Sequence, residues 1–96
     1  MSNHTNENLL LAKLKESNSK ITIGQIYYHY RTPTNYYKVL YIGLDEATEK
    51  VVIIYQAQYG NQLVWVRDIA KWCDEVEYNG STIPRFILAS DLHNCK

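Results

Sequence analysis

Tyr55-Gln56-Ala57-Gln58-Tyr59-Gly60-Asn61-Gln62-Leu63-Val64-Trp65-Val66-Arg67 is the stretch that decides the fold. Tyr55 to Gln58 end one strand, Gly60-Asn61 supply the turn chemistry, and Gln62 to Arg67 return as a second strand. On this reading Trp65 points into the interior and Arg67 closes the strand. Upstream, Lys50 to Gln58 form the strand that feeds the hairpin. Its Val51-Val52-Ile53-Ile54 run is apolar on both faces, the pattern of a central strand covered twice, by an N-terminal helix on one side and a barrel interior on the other. Before it, Tyr36 to Leu44 are rich in β-forming residues, and Asp45-Glu46-Ala47-Thr48 make a polar turn. Gln25 to Arg31 are the first strand, introduced by Gly24. Thr32-Pro33-Thr34-Asn35 read as a loop, because proline cannot donate to a ladder.

Downstream of Arg67 the alternation breaks. Asp68 is placed to N-cap a helical turn over 68 to 74, with Ile69, Trp72 and Cys73 directed inward. Val76 to Tyr78 and Thr82 to Phe86 flank Asn79-Gly80, the pair that a type I′ turn requires. At the other end, residues 6 to 17 read as a short helix that Ser17-Asn18-Ser19 terminate. Leu10, Leu11 and Leu14 share one side, Glu7 lies in the first turn, and Lys13 and Lys15 lie near the last. Such a helix does not persist alone, so it docks on the chain or on a partner. The organisation is a tail and helix over 1–20, a β domain over 21–88 and a C-terminal tail over 89–96. The expected class is mainly β: a small, strongly bent antiparallel sheet or an SH3-like barrel, with a short N-terminal helix and one helical turn before the last hairpin. A flat sheet with a helix on its face is the alternative.

At 96 residues the chain is one domain, and 46% hydrophobic content supports a core. Nine Tyr against one Phe and two Trp imply rings buried with hydroxyls at the rim, or rings displayed on a binding face. Ten basic and ten acidic residues cancel. That balance argues against strong electrostatic binding of nucleic acid or of an anionic membrane, though it leaves room for a local basic patch. The Leu-rich run is too short to span a bilayer. Cys73 and Cys95 have no metal-like spacing. A disulfide pinning the tail and two reduced thiols are both open; the second fits better, since no secretory signal is present, and it sets the expected location as cytoplasmic.

Taken in order, Gly24, Tyr28-His29-Tyr30-Arg31, Tyr37-Lys38-Val39-Leu40, Tyr55-Gln56-Ala57-Gln58-Tyr59-Gly60, Trp65-Val66-Arg67 and Pro84-Arg85-Phe86 resemble a short bacterial family, domain of unknown function 1653. The family pattern runs G-x-Y-x-H-Y-K-G, Y-x-V-L, H-[ST]-E-T, V-Y-x-x-L-Y-G, W-V-R-P and P-R-F. The resemblance covers residues 24 to 86 and rests on order and spacing. Three places depart from it. Asp45-Glu46-Ala47-Thr48 replace the His-Glu turn, Arg31 and a Thr-Pro-Thr loop replace Lys-Gly, and Asp68 replaces the final Pro. The resemblance implies a compact β domain and no particular activity.

The residues that offer chemistry are few. Tyr28, His29, Tyr30 and Arg31 cluster at the end of the first strand. His29 serves as a base only with an acid or hydroxyl in reach; otherwise it is a structural His bonded to backbone or Tyr. Arg67 and Arg85 end strands of successive hairpins, and with Arg31 they make a fork for a carboxylate or phosphate, or else pair with Asp68, Asp74, Glu75 or Glu77. Trp65 and Trp72 read as core. Tyr55 and Tyr59 flank Ala57 on one side of their strand, which makes a shallow slot and an aromatic platform; packed rings with outward hydroxyls are the plainer alternative. His4 and His93 lie in the tails, and no metal spacing, nucleophile constellation or glycine-rich phosphate loop is present. No cofactor and no catalytic residue is therefore expected.

Three functional readings follow. The first is a non-catalytic binding module for a small anionic or nucleotide-like molecule, held by Tyr28, His29, Tyr30, Arg31, Tyr55, Tyr59, Trp65, Arg67 and Arg85. The second is an interaction or adaptor domain that docks a protein partner, or a second copy as a homodimer, through the Leu-rich helix or a strand edge. The third is a small enzyme using His29.

Overall fold

The computed structural model describes residues 6–89. Its elements are α1 (Glu7–Lys20), β1 (Ile26–His29), β2 (Thr32–Leu44), β3 (Val51–Ala57), β4 (Val64–Asp68), α2 (Ile69–Trp72), β5 (Glu75–Tyr78), β6 (Ser81–Pro84) and β7 (Phe86–Leu88). The principal sheet has the order β4-β3-β2-β1-β7, and β5-β6 form a separate ribbon. Every pairing is antiparallel. The protein is mainly β, as the sequence implies. The sheet bends without closing: among the described residues β4 and β7 stand at opposite ends, so the barrel alternative does not form.

The long β2 sets the bend. Its register against β3 shifts between Val39 and Tyr41, and its register against β1 jumps from Tyr28↔Tyr36 to His29↔Thr32. Extra residues on one strand of an antiparallel pair kink it and increase its twist. The second jump also corrects the expectation of a loop over 32–35. The chain turns at Tyr30-Arg31 and β2 begins at Thr32. Pro33 is accommodated because it falls among the residues that have no partner on β1.

Cross-strand partners share a face, so register assigns the core. Tyr27, Tyr37, Val39, Ile53, Tyr55, Phe86 and Leu88 lie on one face, and Val39 and Ile53 are fully buried. Trp72 from α2 and Ile21 after α1 close over it. The cap of α2 is as the sequence indicates: the Asp68 carboxylate accepts from the Ala70 N–H at 2.9 Å. This single turn places Trp72 against Phe86, with ring centroids 4.0 Å apart and planes 6° from parallel. Burying each of these large side chains contributes about 1.5–3 kcal/mol. The second tryptophan departs from its expected place. Trp65 is 50% exposed and lies on the outermost strand, where a strand edge replaces the interior expected for it. Cys73 follows α2 and is exposed rather than inward.

Helix α1 runs three residues past the expected stop at Ser17. Ser17 is buried, and its hydroxyl donates back to the Lys13 carbonyl at 2.9 Å, which keeps a residue that often interrupts helices inside this one. Lys20 pairs with Glu16 one turn back at 3.4 Å. The inner face is Leu10, Leu14, Ser17 and Ile21, while Leu11 is exposed, contrary to the expected Leu10-Leu11-Leu14 side. The helix lies beside α2, where Lys13, Ser17 and Lys20 share a hollow with Ile69 and Cys73. The barrel interior expected as the second cover of β3 does not form, and the outer face of the strand is covered only in part, with Val52 buried. On the outer face Tyr41, Ile54 and Val66 form a cross-strand row, and Tyr41 and Val66 are exposed.

The last hairpin forms on Asn79-Gly80, with φ of 53° and 82°, as a type I′ turn demands. It ends earlier than expected. Arg85 leaves the ribbon, donating its N–H to the Asp74 carbonyl at 2.8 Å and accepting from the Tyr30 N–H at 3.0 Å. Phe86 then pairs with His29 in the principal sheet. His4, His93 and Cys95 lie outside the described residues. Among those described, no helix is long and apolar enough to cross a membrane.

Candidate functional site

Phe86 sits at the centre of the candidate site. Beside its stack on Trp72, its ring centroid is 5.3 Å from that of His29 and 6.1 Å from those of Tyr37 and Tyr55. The Arg67 guanidinium lies over the ring, 5.2 Å from its centroid, a distance at which a cation is attracted to the π face. The sheet order brings these groups together. His29 and Phe86 are cross-strand partners on β1 and β7, whereas Arg67 reaches the ring from β4 at the opposite end of the sheet, across the bent face.

The two remaining arginines approach from the hairpins. Arg31 follows the β1 strand, donates from Nε to the Tyr30 hydroxyl at 2.9 Å and lies over the Tyr30 ring. Arg85 is held through its backbone between the two sheets, and one guanidinium nitrogen reaches Asp74 at 3.5 Å. Arg31, Arg67 and Arg85 each lie within electrostatic reach of His29 while holding different neighbours: the Tyr30 ring, the Phe86 ring and Asp74. Burial holds the His29 imidazole below its ordinary value of 6.5, and Arg85, Arg67 and Arg31 lower it further. The Arg31 backbone N–H donates to His29 Nδ1 at 3.2 Å, so in the neutral ring the proton sits on Nε2.

The alternative pairing of arginines with nearby acids holds for Arg85 alone. Among the described residues no carboxylate pairs with Arg67 or Arg31. Asp68, next to Arg67, caps α2 and meets Lys50 at 3.8 Å instead. The Nε atoms of both Arg67 and Arg85 are buried without a hydrogen-bond partner. Among the described residues no carboxylate meets His29 to orient it as a base, and no group of three or more His, Cys, Asp or Glu is placed to hold a metal ion.

The tyrosine slot differs from its expected form. Tyr55 is buried and packs edge-on against Trp72 at 4.9 Å. Its burial raises the phenol above 10, while the Arg67 charge and hydrogen bond oppose the shift. Tyr59 lies in the loop beyond β3 and is exposed. Between them stands Tyr37, with centroids 5.6 Å from Tyr55 and 5.5 Å from Tyr59, and its hydroxyl is 2.7 Å from that of Tyr59. Burial, and then the bond to Tyr59, push the Tyr37 phenol up to about 12. A depression of about 110 Å³ remains, lined by Ala57, Tyr59, Gly60, Asn61, Leu63 and Trp65. Tyr30 joins the cluster through His29 at 4.8 Å and Tyr78 at 5.4 Å. Tyr28 does not: it is buried on the other face, 6.4 Å from Tyr36.

Sequence reasoning missed Tyr37 and Phe86 as site residues. The small Ala57, cross-strand partner of Tyr37, was the available signal for the first. Nothing local marks Phe86, whose role depends on β7 returning to β1.

A family model described as "Protein of unknown function (DUF1653)" matches residues 25–88. The chain belongs to this family. The DUF1653 match spans β1 through β7 and leaves α1 outside it. A crystal structure of a DUF1653 protein from Bordetella bronchiseptica has the same fold, with a TM-score of 0.60 and 23% identity over 71% of this chain and 87% of that one. No curated protein matches the chain significantly. Two departures from the DUF1653 pattern have structural roles here. Asp68, at the position of the family Pro, caps α2. Asp45, in place of the family His-Glu turn, accepts from the N–H groups of Ala47 and Thr48 at 2.9 and 3.0 Å. These bonds hold its carboxyl below the usual range, the Thr48 bond most of all.

Proposed function

We propose that this DUF1653 domain is a non-catalytic binding module for a small, planar, anionic molecule of the nucleotide type. The observation that carries the reading is the Arg67 guanidinium over the Phe86 ring with its Nε buried and unpartnered, within reach of His29 as Arg31 and Arg85 also are, and with no described carboxylate on Arg31 or Arg67. Guanidinium groups present paired donors that match phosphate and carboxylate oxygens. Neighbouring rings supply faces for a base or other flat group. Tyr59 and Trp65, exposed beside a small depression, extend the aromatic surface. A cytoplasmic setting suits the free thiol of Cys73.

The test is calorimetry, together with amide chemical-shift mapping, using nucleoside mono- and triphosphates and inorganic phosphate. The reading expects saturable shifts at Arg67, Arg85, His29 and Phe86, lost in Arg67→Gln. Absence of heat and of shifts with every nucleotide at millimolar concentration overturns it.

A further inference from the structure

The outer edge of β4 is unpaired among the described residues, and the side chains along it are apolar on both faces of the strand. Leu63, Val64, Trp65 and Val66 are exposed by 55%, 53%, 50% and 63%. By the two-residue period Val64 and Val66 project to the outer face and Trp65 to the core face. A partner packed on one face of the sheet would cover only one of these sets. A strand added to the edge lies alongside both. The usual protections of an edge are absent from Val64-Trp65-Val66: there is no Lys, no Pro and no bulge.

We infer that β4 pairs with β4 of a second copy, antiparallel about a two-fold axis at Trp65. The backbone sets the register. The Ala57 N–H donates to the Leu63 carbonyl at 2.9 Å, which turns the polar groups of Leu63, Trp65 and Arg67 toward β3. By alternation those of Val64 and Val66 point off the edge. In the Trp65-centred register each Val64 exchanges two hydrogen bonds with Val66 of the second copy. Trp65 then meets its own copy at a non-hydrogen-bonded position, where cross-strand side chains lie closest and aromatic pairs gain most. Arg67 falls opposite Leu63, so no like charges face each other. From Gln58 to Val66 the chain carries no charge, which favours self-pairing over selection of a charged peptide. A symmetric isologous contact of this kind closes on itself and does not propagate.

The size of the contact sets its strength. The four side chains expose on the order of 400 Å² per copy, and a total of about 800 Å² falls below that of stable interfaces. The dimer is therefore weak and concentration-dependent. Sedimentation of the full chain from micromolar to millimolar concentration is expected to show a reversible monomer–dimer equilibrium. Val66→Lys, on a solvent-facing position, is expected to shift it at least tenfold toward monomer with an unchanged circular dichroism spectrum. In a Cys73→Ser, Cys95→Ser background, Trp65→Cys is expected to form a disulfide dimer under mild oxidation and Val64→Cys is not. A chain that stays monomeric throughout the range overturns the inference. So does a dimer that Val66→Lys leaves intact, or a cross-link formed through Val64→Cys and not Trp65→Cys. The cysteine pair decides the matter if Val66→Lys does not fold. Sedimentation and cross-linking are read without ligand, and Val66→Lys and Val64→Cys leave the anion site untouched, so the two readings fail separately.

Discussion

Phe86 and Trp72 stack face to face, 4.0 Å between centroids and 6° from parallel, whereas Phe86 meets His29, Tyr37 and Tyr55 edge-on. This contact joins the single turn of α2 to a strand that pairs with β1, so one pair of rings ties the cap of the core to the sheet.

Trp72→Ala is expected to cost about 3–5 kcal/mol, the range for removing a large buried aromatic. Urea unfolding followed by circular dichroism reads it as a drop in midpoint. Trp65→Ala, at a half-exposed edge, is expected to change stability far less. Equal losses from the two substitutions would contradict this assignment of core and edge.

Arg67→Gln is expected to raise the pKa of His29, because one of the three positive charges that depress it is removed. Proton NMR of the imidazole against pH measures it directly. The wild-type ring titrates below 6.5 and the variant closer to it. A His29 that titrates identically in both proteins would mean that Arg67 does not face it.

The sign of the pH dependence follows from the same depression. Below about 6.5 the unfolded His29 takes up a proton that the folded protein resists, so stability falls as pH drops through the folded pKa. An anion bound among Arg31, Arg67 and Arg85 opposes that depression and favours the protonated ring. Its affinity is therefore expected to rise between pH 7.5 and pH 5.5. Calorimetry at the two values, with His29→Ala losing the difference, checks the prediction.

Tyr37 works at the other end of the scale. Its phenol is raised to about 12, by burial first and by the Tyr59 hydroxyl second. The folded protein holds this proton more tightly than the unfolded chain, so stability is lost as pH rises above about 10. In a spectrophotometric titration Tyr37 is expected to ionise late, as is Tyr55 to a lesser extent, and Tyr59→Phe to bring Tyr37 earlier.

Gly80 sits at φ 82° with open space around its missing side chain. Gly80→Ala is expected to cost about 1 kcal/mol or more through backbone strain alone. Amide exchange should rise in β5 and β6 and stay unchanged in β3.

Read alone, the sequence determined the parts whose causes are local. The strands of β3 and β4, the Asn79-Gly80 turn and the Asp68 cap depend on residues within a few positions of each other, through backbone preference and short-range hydrogen bonds. The family was legible as well, because its motifs keep their order and spacing along the chain. Tertiary structure decided which apolar residues are inside. Trp65 and Trp72 are equally hydrophobic, yet one lies on an edge and the other under the sheet, because burial depends on which element covers a face. It also decided that β2 runs through Pro33, since an unpaired bulge removes the need for its missing N–H. And it placed Phe86 beneath Arg67, by returning β7 to β1 so that the bent sheet brings its two ends to one ring.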